Sequence, residues 1–305
     1  MQVNAKHYLM LLGLGLIWGS SFPFLKVVLE SMTPISAAAF RLTISALAMI
    51  VIINVFKLKI PNDWRVWRDY MVIAIIGNVV PFFLISWGEQ HISAALASVL
   101  MGLIPLATML AAHILTDDEK ISMTKLVGVI VGGAGVIILI GVDALDDLGT
   151  YVWAQLAVVV AAVCYGVSSV YARRSKVTQF NPLSNAAGVL ICSSLISLPF
   201  AFSFESPSEL DITLRSISAL LFLSLVCTCA AYFLLYNLLA QVGATFTSFN
   251  NYLVPVFGMI ISVILLNDPI KSTTYIALVL IFSGLAISQQ KSVTLRNPLG
   301  LDKRY

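Results

Sequence analysis

Apolar segments of about 20 residues recur along nearly the whole chain, and that recurrence constrains its fold more than any other feature. At 1.5 Å per residue, roughly 20 residues in a helix cross a hydrocarbon core about 30 Å thick. Ten such segments can be placed: Tyr8 to Leu29, Ile35 to Phe56, Tyr70 to Trp87, Ala94 to Leu115, Thr124 to Val142, Val152 to Ala172, Pro182 to Ser203, Ser216 to Leu239, Thr245 to Leu266 and Thr273 to Ser288. Only 11% of the 305 residues are charged, whereas a soluble domain carries about a quarter. The sequence therefore predicts an all-α integral membrane protein whose main solvent is the lipid bilayer. The first segment lacks a small-residue cleavage site near its end, so it is expected to remain as a span. The longest polar connections, Lys57 to Asp69 and Phe204 to Arg215, leave no room for a soluble catalytic domain.

Charge sets the expected orientation. With the N-terminus inside, the inner segments carry Lys6; Lys57, Lys59, Arg65 and Arg68; Lys120 and Lys125; Arg173, Arg174 and Lys176; and Lys291, Arg296, Lys303 and Arg304. The outer loops carry only Arg215 and Lys271. The positive-inside rule then places both termini of this multi-pass membrane protein in the cytoplasm. The net charge of +3 follows from this topology and shows no basic face for nucleic acid. Four cysteines lie inside apolar segments and three histidines are scattered, so neither a disulfide framework nor a metal site is expected.

A shift of about 150 residues overlays the two halves. Pro105 falls on Pro255, and PFFLISWGEQHISAALAS (81–98) falls on AYFLLYNLLAQVGATFTS (231–248). Near the starts, Trp18-Gly19 answers Tyr165-Gly166, and TPISAAAF answers NPLSNAAG. Residues 8–142 and 152–288 form the two expected repeats, and 289–305 a cytoplasmic tail. Each repeat holds five spans, an odd number, so the second copy enters the membrane with opposite polarity. Inverted repeats of this kind are the architecture of alternating access around a midplane site.

LIWGSSFPFLK in the first span, Arg41 in the second, EQHISAALASVLMGLIPL, and the DDEKIS and NDPIKS turns together resemble the drug/metabolite transporter superfamily, and its EamA-type family most. The resemblance covers nearly the whole chain. It implies ten helices in two inverted five-helix repeats around a central cavity, and transport, with export the expected direction, of amino acids or other small metabolites. In one turn the sequence departs from its own first copy: Asp268-Pro269 stands where Glu119-Lys120 stands earlier.

Helical spacing sorts the polar groups inside the spans into faces. Asn78, Phe82, Ser86 and Glu89 share a stripe on the third span, and Thr228, Tyr232, Tyr236 and Leu239 are their counterparts on the eighth. On the ninth, Thr247, Asn251, Pro255, Gly258 and Ser262 share a face, with Asn250 one step round. Trp18 and Tyr165 offer aromatic faces with one polar tip each. Trp18, Asn78, Phe82, Tyr165, Tyr232, Tyr236, Asn250 and Asn251 are thus the candidates for substrate contact. Pro105 and Pro255 are candidate helix breaks, because each removes a backbone donor. Arg41 and Glu89 are candidates for an ion pair or for ion coupling, since charge in a span needs a partner or a cavity. For the Ser and Gly residues of the spans, helix packing is the competing role.

A carrier is expected, with a small molecule as its substrate and a proton as a candidate coupling ion. A passive channel for small polar solutes is the alternative, although it calls for a continuous polar pore. No GxxxxGK[ST], HExxH or G-x-S-x-G motif is present, so neither ATP-driven transport nor an enzyme, and no cofactor, is expected. The sequence is silent on oligomeric state.

Overall fold

The computed structural model describes residues 3–92, 97, 100–117, 120–140, 151–204, 213–254, 256–257 and 272–289. Every regular element among them is helical. Five helices are long and apolar enough to cross a membrane: Pro34–Val55, Trp64–Gly88, Val152–Arg174, Pro182–Ser203 and Leu214–Val242. Shorter apolar helices cover Ile104–Leu115, Met123–Ile138 and Tyr275–Ser288. The tail beyond residue 289, Pro255, and the Asp268-Pro269 turn lie outside the described residues.

Local signals set the helix starts. Thr33 accepts a hydrogen bond from Ser36 N (3.3 Å) ahead of Pro34, whose fixed φ suits the first helical turn. Asp63 caps the Trp64 helix by accepting from Arg65 N (2.9 Å), and Thr213 caps the Leu214 helix by accepting from Ser216 N (3.1 Å). Because the Trp64 helix starts at that cap, it is six residues longer at its start than hydropathy predicts, and Asp69 belongs to it rather than to a loop. The side chain of Asp69 is buried, accepting hydrogen bonds from Tyr171 Oη (2.9 Å) and Arg68 Nη2 (3.0 Å), which ties this helix to Val152–Arg174. The first predicted span is also not one helix. It divides into Ala5–Gly19 and Ser21–Leu29, with a turn at Ser20. There the Ser20 and Ser21 hydroxyls donate to the carbonyls of Ile17 (2.8 Å) and Trp18 (2.7 Å), competing with the helical ladder.

The Pro34–Val55 helix shows how the bundle is solvated. Leu42, Ser45, Ala46, Met49 and Ile53 are buried, while Leu47, Val51 and Val55 form an exposed apolar stripe at four-residue spacing. Such a stripe fits lipid and not water. The buried face packs on Pro182–Phe204, and Trp64–Gly88 and Ile104–Leu115 both pack on Val152–Arg174.

Among the described residues, Met123–Ile140 and Ser272–Gln289 make the most extensive helix–helix contact. Small residues allow it: a β-carbon added at Gly284 would stand 2.5 Å from Gly132 N and 2.6 Å from Gly128 O. One added at Gly135 would stand 2.9 Å from Ala277 O. In an apolar solvent such close backbone approach replaces the hydrophobic drive that holds soluble helices together.

The Trp64–Gly88 and Leu214–Val242 helices carry the same irregularity. Residues Ile75–Val79 of the first and Leu225–Ala230 of the second are π-helical, so the two π-turns begin 150 residues apart. A π-turn widens the helix by one residue and loosens the local carbonyls from the ladder, and such turns are frequent at functional sites. Past the second of them, Gly243 adopts φ 89°, a left-handed value that suits glycine, and lets the chain turn directly into Ala244–Ser248.

The helix pair yields a prediction. Gly284→Val forces backbone apart and should cost about 1–3 kcal/mol of stability. Gly133→Val, at a glycine whose added β-carbon would meet, among the described residues, only Tyr252 Oη at 3.9 Å, should be tolerated. Thermal unfolding of both variants in detergent checks the contrast.

Candidate functional site

Each π-turn holds a buried polar side chain, Asn78 in the first and Thr228 in the second. Asn78, in the first, donates from Nδ2 to Ser193 Oγ (2.7 Å) and accepts at Oδ1 from the Tyr232 hydroxyl. Thr228, in the second, donates to Leu223 O (2.9 Å) and accepts from Arg41 Nε (2.9 Å). Asn78 and Thr228 are counterparts at the 150-residue shift, and each is bound by a helix of the other half. Two serines complete the pattern. Ser193 donates to Val189 O, four residues back (2.8 Å), and Ser45 donates to Arg41 O, also four residues back (2.6 Å), and to Ser224 O (2.9 Å). The register that sets TPISAAAF on NPLSNAAG also sets Ser45 on Ser193 and Arg41 on Val189.

Between these helices lies a cavity. Trp18, Asn78, Phe82, Tyr165, Tyr232, Tyr236, Asn250 and Asn251 all line it, so the structure brings the eight predicted contact residues together. Arg41, Glu89, Ser86 and Thr247 line it as well. The space open to the centres of water molecules is about 150 Å³, room for roughly five waters or one small solute. Its walls are more apolar than polar, the usual make-up of a small-molecule site.

The polar tips differ in availability. Trp18 Nε1 donates to Cys227 O (3.1 Å), so its indole N–H is already used and its ring face is what it presents. Arg41 spreads its guanidinium over the Phe82 ring, with Cζ 4.7 Å from the centroid, and its Nη2 is 3.5 Å from Cys227 O. Cys227 O therefore receives both groups at the second π-turn. The Tyr232 and Tyr236 rings meet edge to face at 6.2 Å. Asn251 Nδ2 donates to Ser248 O (2.9 Å). Asn250 is 1% exposed, and its Oδ1 is buried with no hydrogen-bond partner among the described residues. Glu89 caps the end of the Trp64–Gly88 helix at the cavity wall.

Pro105 occupies the first turn of Ile104–Leu115, directly after a turn at Gly102 and Leu103, so it starts a helix after a break and does not kink a continuous one. Sequence reasoning missed Ser193 and the Cys227 carbonyl. The first was readable in the register that pairs it with Ser45. The second carries no sequence signal, because any residue supplies a carbonyl. Among the described residues no group of His, Cys, Asp and Glu could hold a metal ion.

A bundle of apolar helices closed around a small, mostly apolar cavity defines the class: a membrane transporter for small solutes. The EamA-like transporter family matches residues 5–141 and again 152–289, and the chain belongs to that family. It is 22% identical over 280 residues to an uncharacterized transporter, YoaV, of Bacillus subtilis (strain 168), with 92% of this chain and 95% of that protein covered. It is 24% identical to protein PecM of Dickeya dadantii (strain 3937), with 91% and 90% covered. A probable terminal-alkyne amino-acid exporter of Streptantibioticus cattleyicolor is 27% identical over 187 residues, 60% of this chain and 59% of that protein. A crystal structure 20% identical in sequence superposes with a TM-score of 0.78, covering 94% of this chain and 97% of that one, which shows a shared fold.

Tyr232→Phe should lower stability by about 1–3 kcal/mol, because it strands a buried amide oxygen of Asn78. Replacing both partners, as in Asn78→Leu with Tyr232→Phe, should recover part of that loss. A double-mutant cycle on detergent unfolding measures the coupling.

Proposed function

We propose that this protein is a secondary transporter that carries a small amphipathic metabolite of the amino-acid class across the bacterial cytoplasmic membrane by alternating access, in the export direction. In this reading it has ten spans, arranged as two inverted five-helix repeats over 8–142 and 152–288, with a tail over 289–305 and both termini in the cytoplasm. The paired π-turns 150 residues apart, the paired caps Asp63 and Thr213, and the paired serines Ser45 and Ser193 support the repeat. The lysine and arginine bias supports the orientation.

One observation carries the functional reading: a single small cavity collects all eight predicted contact residues from both halves of the chain. Aromatic faces from Trp18, Phe82, Tyr165, Tyr232 and Tyr236 suit the apolar part of a solute, and the amides of Asn250 and Asn251 suit its polar part. The relative named as an amino-acid exporter points to the same solute class. No nucleotide-binding motif is present, so an ion gradient drives the cycle, with the proton as coupling ion and Glu89 as the carboxylate placed to take part.

Counterflow in proteoliposomes tests this reading. Vesicles preloaded with unlabelled L-amino acids should show saturable, transient accumulation of labelled L-leucine or L-phenylalanine. Asn251→Ala should raise the half-saturation concentration about 2- to 13-fold, the value of one hydrogen bond. Flux that never saturates would instead mark a passive channel, and absence of flux with every amino acid would sink the amino-acid assignment.

A further inference from the structure

The cavity wall carries one cation among the described residues, Arg41, and its surroundings leave half of its guanidinium uncommitted. Two edges of a guanidinium can bind a planar anion. The side edge, Nε with Nη2, is already held by Thr228 Oγ1 and Cys227 O. That contact fixes the plane, and the Phe82 ring supports one face of it. The end edge, Nη1 together with the second N–H of Nη2, has no acceptor among the described residues. The ion pairs seen among those residues join Arg68 to Asp69, Lys120 to Asp117 and Arg215 to Glu30, and no carboxylate of the described residues is paired with Arg41.

Packing does not call for this charge. At the corresponding place on Pro182–Phe204 stands Val189, fully buried, and its helix makes the same serine back-bond with no cation present. A guanidinium about 10 Å along the helix from Pro34 is costly in a span unless something offsets its charge. A second group in the same wall also points to a ligand: Asn250, 1% exposed, has a side-chain Oδ1 with no hydrogen-bond partner among the described residues.

We infer that Arg41 is the carboxylate receptor of the cavity: its end edge takes the two oxygens of a substrate carboxylate, so solutes must carry that group to be bound. Asn250 Oδ1 accepts from an N–H of the same solute, and the rings of Phe82, Trp18 and Tyr165 hold its side chain. A bidentate arginine–carboxylate contact is the strong, geometrically specific form of this interaction. This inference rests on the proposal that the cavity is a solute site, and it specifies which chemical group that site demands.

The test uses the purified full-length chain and matched pairs that differ only in the acid: L-phenylalanine with L-phenylalaninamide, and L-leucine with L-leucinamide. Thermal unfolding titrations in detergent give apparent affinities without requiring flux. The acids should bind roughly 10- to 150-fold more tightly than their amides. Arg41→Gln should bring each pair to near-equal affinity, and Arg41→Lys, which keeps the charge but not the fork, should retain part of the preference. The wild-type comparison stands even if a variant fails to fold. Amides that bind as well as acids, or acids that do not bind, overturn the inference. Counterflow separates the two proposals: saturable flux without an acid preference leaves the carrier standing and removes Arg41 from this role, whereas no flux with an intact acid preference does the reverse.

Discussion

In a hydrocarbon solvent every backbone N–H and C=O must find its partner within the protein, and this single requirement underlies the rest of the structure. It selects helices, and it makes each departure from the helical ladder expensive unless nearby side chains take up the released groups. The departures in this chain fall where such groups exist. At Ser20 the hydroxyls of Ser20 and Ser21 take up carbonyls of the preceding turn. At the second π-turn the Leu223, Ser224 and Cys227 carbonyls accept from Thr228, Ser45, Trp18 and Arg41. The break at Ser20 and the first π-turn border the cavity, through Trp18, Ser21, Gly77 and Asn78.

The same requirement explains how the two halves hold each other. Asn78 is satisfied by Ser193 and Tyr232, and Thr228 by Arg41, so each π-turn is completed by side chains from the opposite half of the chain. Buried polar groups of this sort fix which helix lies against which more sharply than apolar surface does, because a mismatch leaves an amide or hydroxyl stranded. The glycine-lined contact between Met123–Ile140 and Ser272–Gln289 works by different means, close backbone approach. A polar interior joint and an apolar close-packed one thus lie in the same bundle.

Departure from the pairing is as informative as the pairing. Ser45 and Ser193 answer each other, as do Asp63 and Thr213, but Arg41 stands where its counterpart is Val189. The π-turns, the caps and the serine back-bonds occur twice. The cation occurs once and lies on the cavity wall, which separates a chemical demand from a packing demand.

The sequence by itself determined that the chain is a membrane protein, because a run of about 20 apolar residues has only one stable solvent. It also determined the family, through motifs spread over both halves, and the membership of the polar stripes, because residues three or four apart share a helical face whatever the helix packs against. Asn78, Phe82, Tyr232, Tyr236 and Asn251 were candidates on that ground, whereas Trp18 and Tyr165 were candidates for their aromatic faces and Asn250 as the neighbour of a stripe. Helix ends were less so: hydropathy read Asp69 as loop, although a cap at Asp63 and a hydroxyl on Tyr171 make a buried carboxylate stable there. Only the tertiary structure decided that the described members of the stripes, Thr228 excepted, face one cavity, that the indole N–H of Trp18 is spent on Cys227 O, and that Arg41 is held along one edge and open along the other. Those outcomes depend on which carbonyls the π-turns release and which distant helix meets them, and neither quantity is local to the sequence.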